Sequence, residues 1–142
     1  MSTFWQGVLP AITTPTVLAR VFVEASRRRD GEWLVALVHP ASAESYRRVS
    51  PTETRSYEAI WLAGRAPAGR IESTLGTFVS ATPGRNNRAS YRAGELLFVY
   101  PVRPSHNLLI TVRAEGAEPV IVANHAIRRD NGRWYIVLPA ET

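Results

Sequence analysis

The sequence predicts an α+β fold, an antiparallel meander of four strands preceded by three or four helices. Three observations carry this expectation. Apolar residues recur at helical spacing through about residue 63. From about residue 70 the apolar period falls toward two. Near the end, two apolar runs flank Asp130-Asn131-Gly132, and Asn-Gly is the strongest short signal for a tight hairpin turn, because both residues tolerate positive φ. The 142 residues suffice for one domain, read as 1–142 with an irregular segment over 1–13. A chain near this size buries roughly two-thirds of its unfolded surface, so a core forms without staples. There is no cysteine, which excludes a disulfide framework, a thiolate zinc site and a cysteine nucleophile.

Taken in order, Phe4, Trp5, Val8 and Leu9 are expected to pack onto the body. Thr14-Pro15 reads as N-cap and first helical position. Val17, Leu18, Val21, Phe22 and Ala25 then recur at helical spacing, which predicts a helix to about Arg29. Arg27, Arg28 and Arg29 fall in its last turn, where cations meet the negative end of the helix dipole. Asp30 caps a short second helix carrying Trp33, Leu34, Leu37 and Val38. His39-Pro40 ends it and starts a third, through Tyr46 to about Val49. Residues 53–63 form a fourth amphipathic segment with Tyr57, Ile60 and Trp61 inward.

Arg70 to Val79 is a strand candidate, and Ser80 to Gly94 is read as an exposed loop with a short strand near Tyr91. Glu95 to Arg103 puts Leu96, Phe98, Tyr100 and Val102 on one face. Pro101 suits an edge or a bulge there, since it donates no hydrogen bond. Asn107 to Glu115 puts Leu108, Ile110 and Val112 on one face. The final hairpin sets Arg129 opposite Trp134, Ile127 opposite Ile136 and His125 opposite Leu138. Burying Ile127, Trp134, Ile136 and Leu138 contributes roughly 1.5–3 kcal/mol each, which fixes register more firmly than the turn.

This order of elements resembles the nuclear transport factor 2-like superfamily, which includes ketosteroid isomerase, scytalone dehydratase and polyketide cyclases. The resemblance rests on Ala36-Leu37-Val38-His39-Pro40 behind Asp30 and Trp33, and on Asp130 through Val137 with its Gly-Arg-Trp-x-Ile hairpin. It implies a cone, with the N-terminal helices packed in a curved antiparallel sheet of four to six strands, whose interior is an apolar cavity open at one end. Tyr57, Trp61, Phe98 and Tyr100 would line or fill that cone, together with His125, Ile127, Trp134 and Ile136. It also implies ligand binding, catalysis or dimerisation through the outer sheet face, and fold alone does not select among them.

The catalytic sets of that group are missing. Ketosteroid isomerase chemistry needs an aspartate base plus an oxyanion hole of tyrosine and a protonated aspartate. This chain has only Asp30 and Asp130, both at expected turns. The Asp-Arg-Asp set of limonene epoxide hydrolase and the His-x-x-x-Asp pattern of the cyclases are likewise missing. His125 is the weak catalytic candidate, an imidazole on an apolar strand face that could serve as a base near neutral pH. A histidine bonded within the core is the commoner use. Three scattered histidines without a carboxylate neighbour make no metal site, and no cofactor is expected.

Net charge is +5, and all 17 basic residues are arginine. Total absence of lysine favours a source bias over functional selection, because function selects a few positions and bias affects all. Arg85-Asn86-Asn87-Arg88 is the one arginine pair that helix ends and the hairpin tip do not explain, so Arg85 and Arg88 are the anion-binding candidates. The expected function is binding of a small apolar ligand between sheet and helices. The alternatives are an arginine-rich anion or nucleic-acid binding module and a dimerising scaffold or interaction domain that uses Arg128, Tyr135, Arg113 and Thr111 on the outer sheet face, with a homodimer as the expected partner. Among partners nucleic acid is disfavoured. No apolar run approaches ~20 residues, which argues against a membrane partner. Residues 1–15 lack signal-peptide character, so a cytoplasmic location is expected.

Overall fold

A computed structural model describes residues 9–28, 30–49 and 76–141. After a 3-10 turn at Leu9–Ala11, helix α1 spans Pro15–Arg27. The Thr14 hydroxyl accepts from the Val17 N–H at 3.2 Å, and Pro15 opens the first turn. Glu24 pairs with both Arg27 and Arg28 at the other end. Helix α2 (Gly31–Ala36) starts on the Asp30 carboxylate, which accepts from the Trp33 N–H at 3.1 Å. Helix α3 spans Pro40–Val49. The expected fourth amphipathic segment, with Tyr57, Ile60 and Trp61, lies outside the described residues, as do the N-terminal aromatics and residues 70–75.

The main sheet is antiparallel throughout, with strand order β1 (Thr77–Arg85), β4 (His106–Arg113), β5 (Val120–Asp130), β6 (Arg133–Ile136). A second, three-stranded sheet pairs β2 (Ser90–Ala93), β3 (Leu96–Val99) and β7 (Ala140–Glu141). Two expectations are corrected here. The exposed loop proposed for Ser80 to Gly94 is largely strand, because β1 continues to Arg85 and pairs with β4. Pro83 is tolerated since β1 is an edge strand. The short strand near Tyr91 is present as β2. Residues 95–103 do not join the main meander. They stop at Val99, ahead of Pro101, and form a hairpin with β2 instead.

The C-terminal hairpin has the expected register, with Ile127 opposite Ile136 and Arg129 opposite Trp134. Asn131 and Gly132 have φ of 53° and 77°, the paired positive values of a type I′ turn. His125 and Leu138 are not ladder partners. Beyond the Val137 N–H bond to the Ala126 carbonyl, Leu138 turns to Ser42 of α3.

The helices cover one face of the main sheet. Leu18 and Phe22 of α1 and Trp33 and Leu34 of α2 are buried with Leu108, Ile110, Val112, Ile127 and Ile136. Arg20 lies over the Phe78 ring at 4.5 Å and fastens α1 to the edge strand. Trp134 is half-buried beside this core. Ile136→Ala is expected to cost ~2–5 kcal/mol of unfolding free energy. Trp134→Ala, with less area to lose, is expected to cost roughly 1–3 kcal/mol. Urea titration of the two variants checks both magnitudes.

Candidate anion-binding site

The main sheet has a second face, turned away from the helices, and alternation decides what it carries. Leu108 and Ile127 point into the helix-covered core, so their neighbours Asn107 and Ala126, which are register partners, share the opposite face with Asn124. The second sheet rises beside that face. Its last strand, β7, is the continuation of β6, and it carries the β2–β3 hairpin through the pairs Phe98–Glu141 and Val99–Ala140.

Between these parts is a cavity of about 500 Å³. Arg85, Asn86 and Arg88 line it from the end of β1, Tyr91 and Arg92 from β2, and Tyr100 from the segment after β3. Asn107, Asn124 and Ala126 form its floor, with Val137, Leu138 and Pro139 along one side. Asn86 ties the β1–β2 connection down. Its Nδ2 donates to Asn107 Oδ1 at 2.7 Å, and its Oδ1 accepts from the Arg88 N–H at 3.1 Å. Tyr91 stacks on Phe98 with centroids 5.2 Å apart and meets Tyr100 at 5.7 Å.

The electrostatics of the lining are one-sided. Among the described residues it contains three arginines and no carboxylate. Among the described residues, the side chains of Arg85, Arg88 and Arg92 form no ion pair, since the recorded pairs use Glu24 and Asp130 elsewhere. Burial, reinforced by Tyr91, pushes the Tyr100 phenol up to about 12 against the opposing pull of Asn86 and Arg88. Burial also raises Tyr91. Both phenols therefore stay protonated at neutral pH and can donate without adding negative charge.

Of the expected pocket residues, Tyr100 and His125 border this cavity, and Phe98 stands behind Tyr91. Ile127 and Ile136 are instead buried in the helix-side core. Trp134 sits near His106, with ring centroids 5.6 Å apart. Tyr57 and Trp61 lie outside the described residues. Arg85 and Arg88, the anion-binding candidates, both line the cavity. Arg92, Asn107 and Asn124 escaped the sequence reading. An asparagine inside an otherwise apolar run, as in His106-Asn107-Leu108-Leu109 and Ala123-Asn124-His125, was the available signal.

The His125 ring packs edge-on against Phe22 at 4.7 Å, and its buried Nε2 has no hydrogen-bond partner among the described residues. The expected core role is thus present without the expected bond. Burial lowers its pKa to about 4. His39 does have a carboxylate neighbour, contrary to expectation. Its Nε2 lies 2.6 Å from Asp130 Oδ2, while its Nδ1 accepts from the Ala41 N–H. Arg128 donates to the same carboxylate oxygen at 2.9 Å and, with His39, holds Asp130 below the ordinary carboxylate range. With Nδ1 occupied, His39 pins α3 to the hairpin and has no lone pair left for a substrate proton. No cluster of three or more His, Cys, Asp or Glu side chains suited to a metal ion occurs among the described residues. No described helix is long and apolar enough to cross a membrane.

No family model matches the chain, and neither the curated proteins nor the solved structures contain a match.

Because His125 is neutral in the folded state well below its ordinary value of 6.5, its protonation opposes folding. Stability is expected to fall by about 3 kcal/mol as pH drops from about 6.5 to about 4. Asp130 is depressed instead, so its contribution is lost only at still lower pH, through its folded pKa. Thermal melts of the parent and of His125→Leu across pH 4–7 check this. The variant should lose most of the slope in that window.

Proposed function

We propose that this chain is a binding module for a small anionic ligand carrying a phosphate or carboxylate group. The observation that carries the reading is a cavity lined by Arg85, Arg88 and Arg92 with no carboxylate in its lining among the described residues. Guanidinium forks recognise such groups bidentately. The protonated tyrosines and Asn107 and Asn124 supply neutral hydrogen bonds around them. Tyr91, stacked on Phe98, brings aromatic surface to the lining for a planar body. An apolar guest held by Ile127 and Ile136 has less support, because those side chains are packed against α1 and α2. Helices ahead of an antiparallel meander support the nuclear transport factor 2-like reading of the fold, with the cavity favoured here on the sheet face away from the described helices.

Thermal-shift assays with organic phosphates and carboxylates, set against neutral terpenoid and steroid compounds, test the proposal. The anions should raise Tm, the shift should shrink as salt rises, and the R85A/R88A double variant should abolish it. A response confined to the neutral compounds would sink the reading.

A homodimer through the outer sheet face is favoured by one separate observation. Val79 and Ile121 are exposed at the end of β1 and β5 away from the cavity. Light scattering should then give twice the 15.8 kDa chain mass, and Ile121→Glu should return a monomer.

A further inference from the structure

Outside two neighbouring cavities, the arginines whose side chains are described all have partners. Arg20 covers Phe78, Arg27 and Arg28 pair with Glu24, Arg113 donates to the Ala117 carbonyl, and Arg133 donates to the Ala36 carbonyl. The cavity arginines differ. A second cavity, of about 530 Å³, adjoins the first through Arg85, which lines both, and Arg103, Arg128, Arg129 and His106 complete its basic lining. It too contains no carboxylate among the described residues. Arg128 is held by Asp130. Arg85, Arg88, Arg92, Arg103 and Arg129 have no ion-pair or side-chain hydrogen-bond partner among the described residues. A codon bias toward arginine explains the count of arginines. It does not explain why the unpartnered ones gather here.

The register gives the track a length. Arg85, His106 and Ile127 are successive partners across β1, β4 and β5. Arg85 and the Arg128–Arg129 end of β5 are therefore about two strand spacings apart, ~10 Å. Each cavity brings its own arginines to this row, so a ligand that occupies both meets several cations in succession and is matched by several charges in a row. At the first cavity's end of the track stand Tyr91 and Tyr100, both neutral. A basic track beside aromatic faces is the arrangement that holds single strands, with the backbone on the cations and bases stacked on the rings. A duplex keeps its bases stacked inside and has none to offer these tyrosines.

We infer that the ligand is a single-stranded nucleic acid whose backbone passes over Arg85 from one cavity to the other, with a base stacked at Tyr91. This rests on the anion-binding reading of the first cavity and extends it.

Fluorescence anisotropy with a labelled ten-nucleotide single strand, as RNA and as DNA, tests it against a cytidine monophosphate, inorganic polyphosphate of similar charge and a ten-base-pair duplex. The single strand should bind at least about tenfold more tightly than the mononucleotide, with a log–log salt slope of about −3 if roughly four phosphates are engaged. Arg103 and Arg129 are exposed, so the R103A/R129A double variant should stay folded, which its melt verifies. That variant should weaken the strand about tenfold and leave the mononucleotide unchanged. Tyr91→Ala should weaken the strand about fivefold or more. If the strand binds no better than the mononucleotide, or the double variant leaves its affinity intact, the inference is overturned while the anion site stands. Equal competition by polyphosphate or duplex, with Tyr91→Ala neutral, overturns it as well. If no anion binds and R85A/R88A changes nothing, both readings fall together.

Discussion

The backbone of residues 136–138 is the constraint on which the rest of the molecule depends. Ile136 donates to the Leu37 carbonyl and accepts from the His39 N–H, both at 2.8 Å. Its side chain is in the core opposite Ile127. Val137 donates to Ala126 on the other side, and Leu138 exchanges two bonds with the Ser42 hydroxyl. The α2–α3 connection thus acts as a short parallel partner that covers the β6 edge. In one short run of chain, helices, main sheet and core are fixed relative to one another. Buried backbone groups must be paired, so this run has little freedom to take another path.

That path also creates the cavity. Because Leu138 is drawn to α3, the chain leaves the main sheet and arrives at β3 as β7. The β2–β3 hairpin is thereby carried to the face that the helices leave open. Asn86 braces the opposite side through Asn107. The hollow is thus held from two sides, with arginines and asparagines in its lining. The His39–Asp130–Arg128 cluster secures the hairpin tip to α3. Its charges are satisfied within the protein, in contrast to those of the cavity.

Local signals in the sequence were legible, and joins between distant segments were not. Thr14-Pro15, Asp30 and Asn131-Gly132 each act on their immediate neighbours, and each stands where the sequence put it. The alternation of Leu108, Ile110 and Val112 likewise specified the buried face of β4. Thr82-Pro83-Gly84 misled, because the turn-forming habit of those residues is overridden when a strand needs hydrogen bonds on one side only. The sequence held nothing to say that residues 95–99 would leave the main meander, since that depends on where β7 lands forty residues later. Arg85 and Arg88 were legible by elimination, as cations lacking a local reason. Arg92, Asn107 and Asn124 became part of a site only through that long-range join.

Guanidinium groups do not lose their proton in proteins, and the Tyr100 phenol keeps its own to about 12. His125, the imidazole at the border of the first cavity, is already neutral above about 4. The electrical character of that hollow is consequently constant from mildly acidic to mildly alkaline solution. Whatever acidity profile its occupancy displays there will report the ionisation of the guest, with the host serving as a fixed positive electrode.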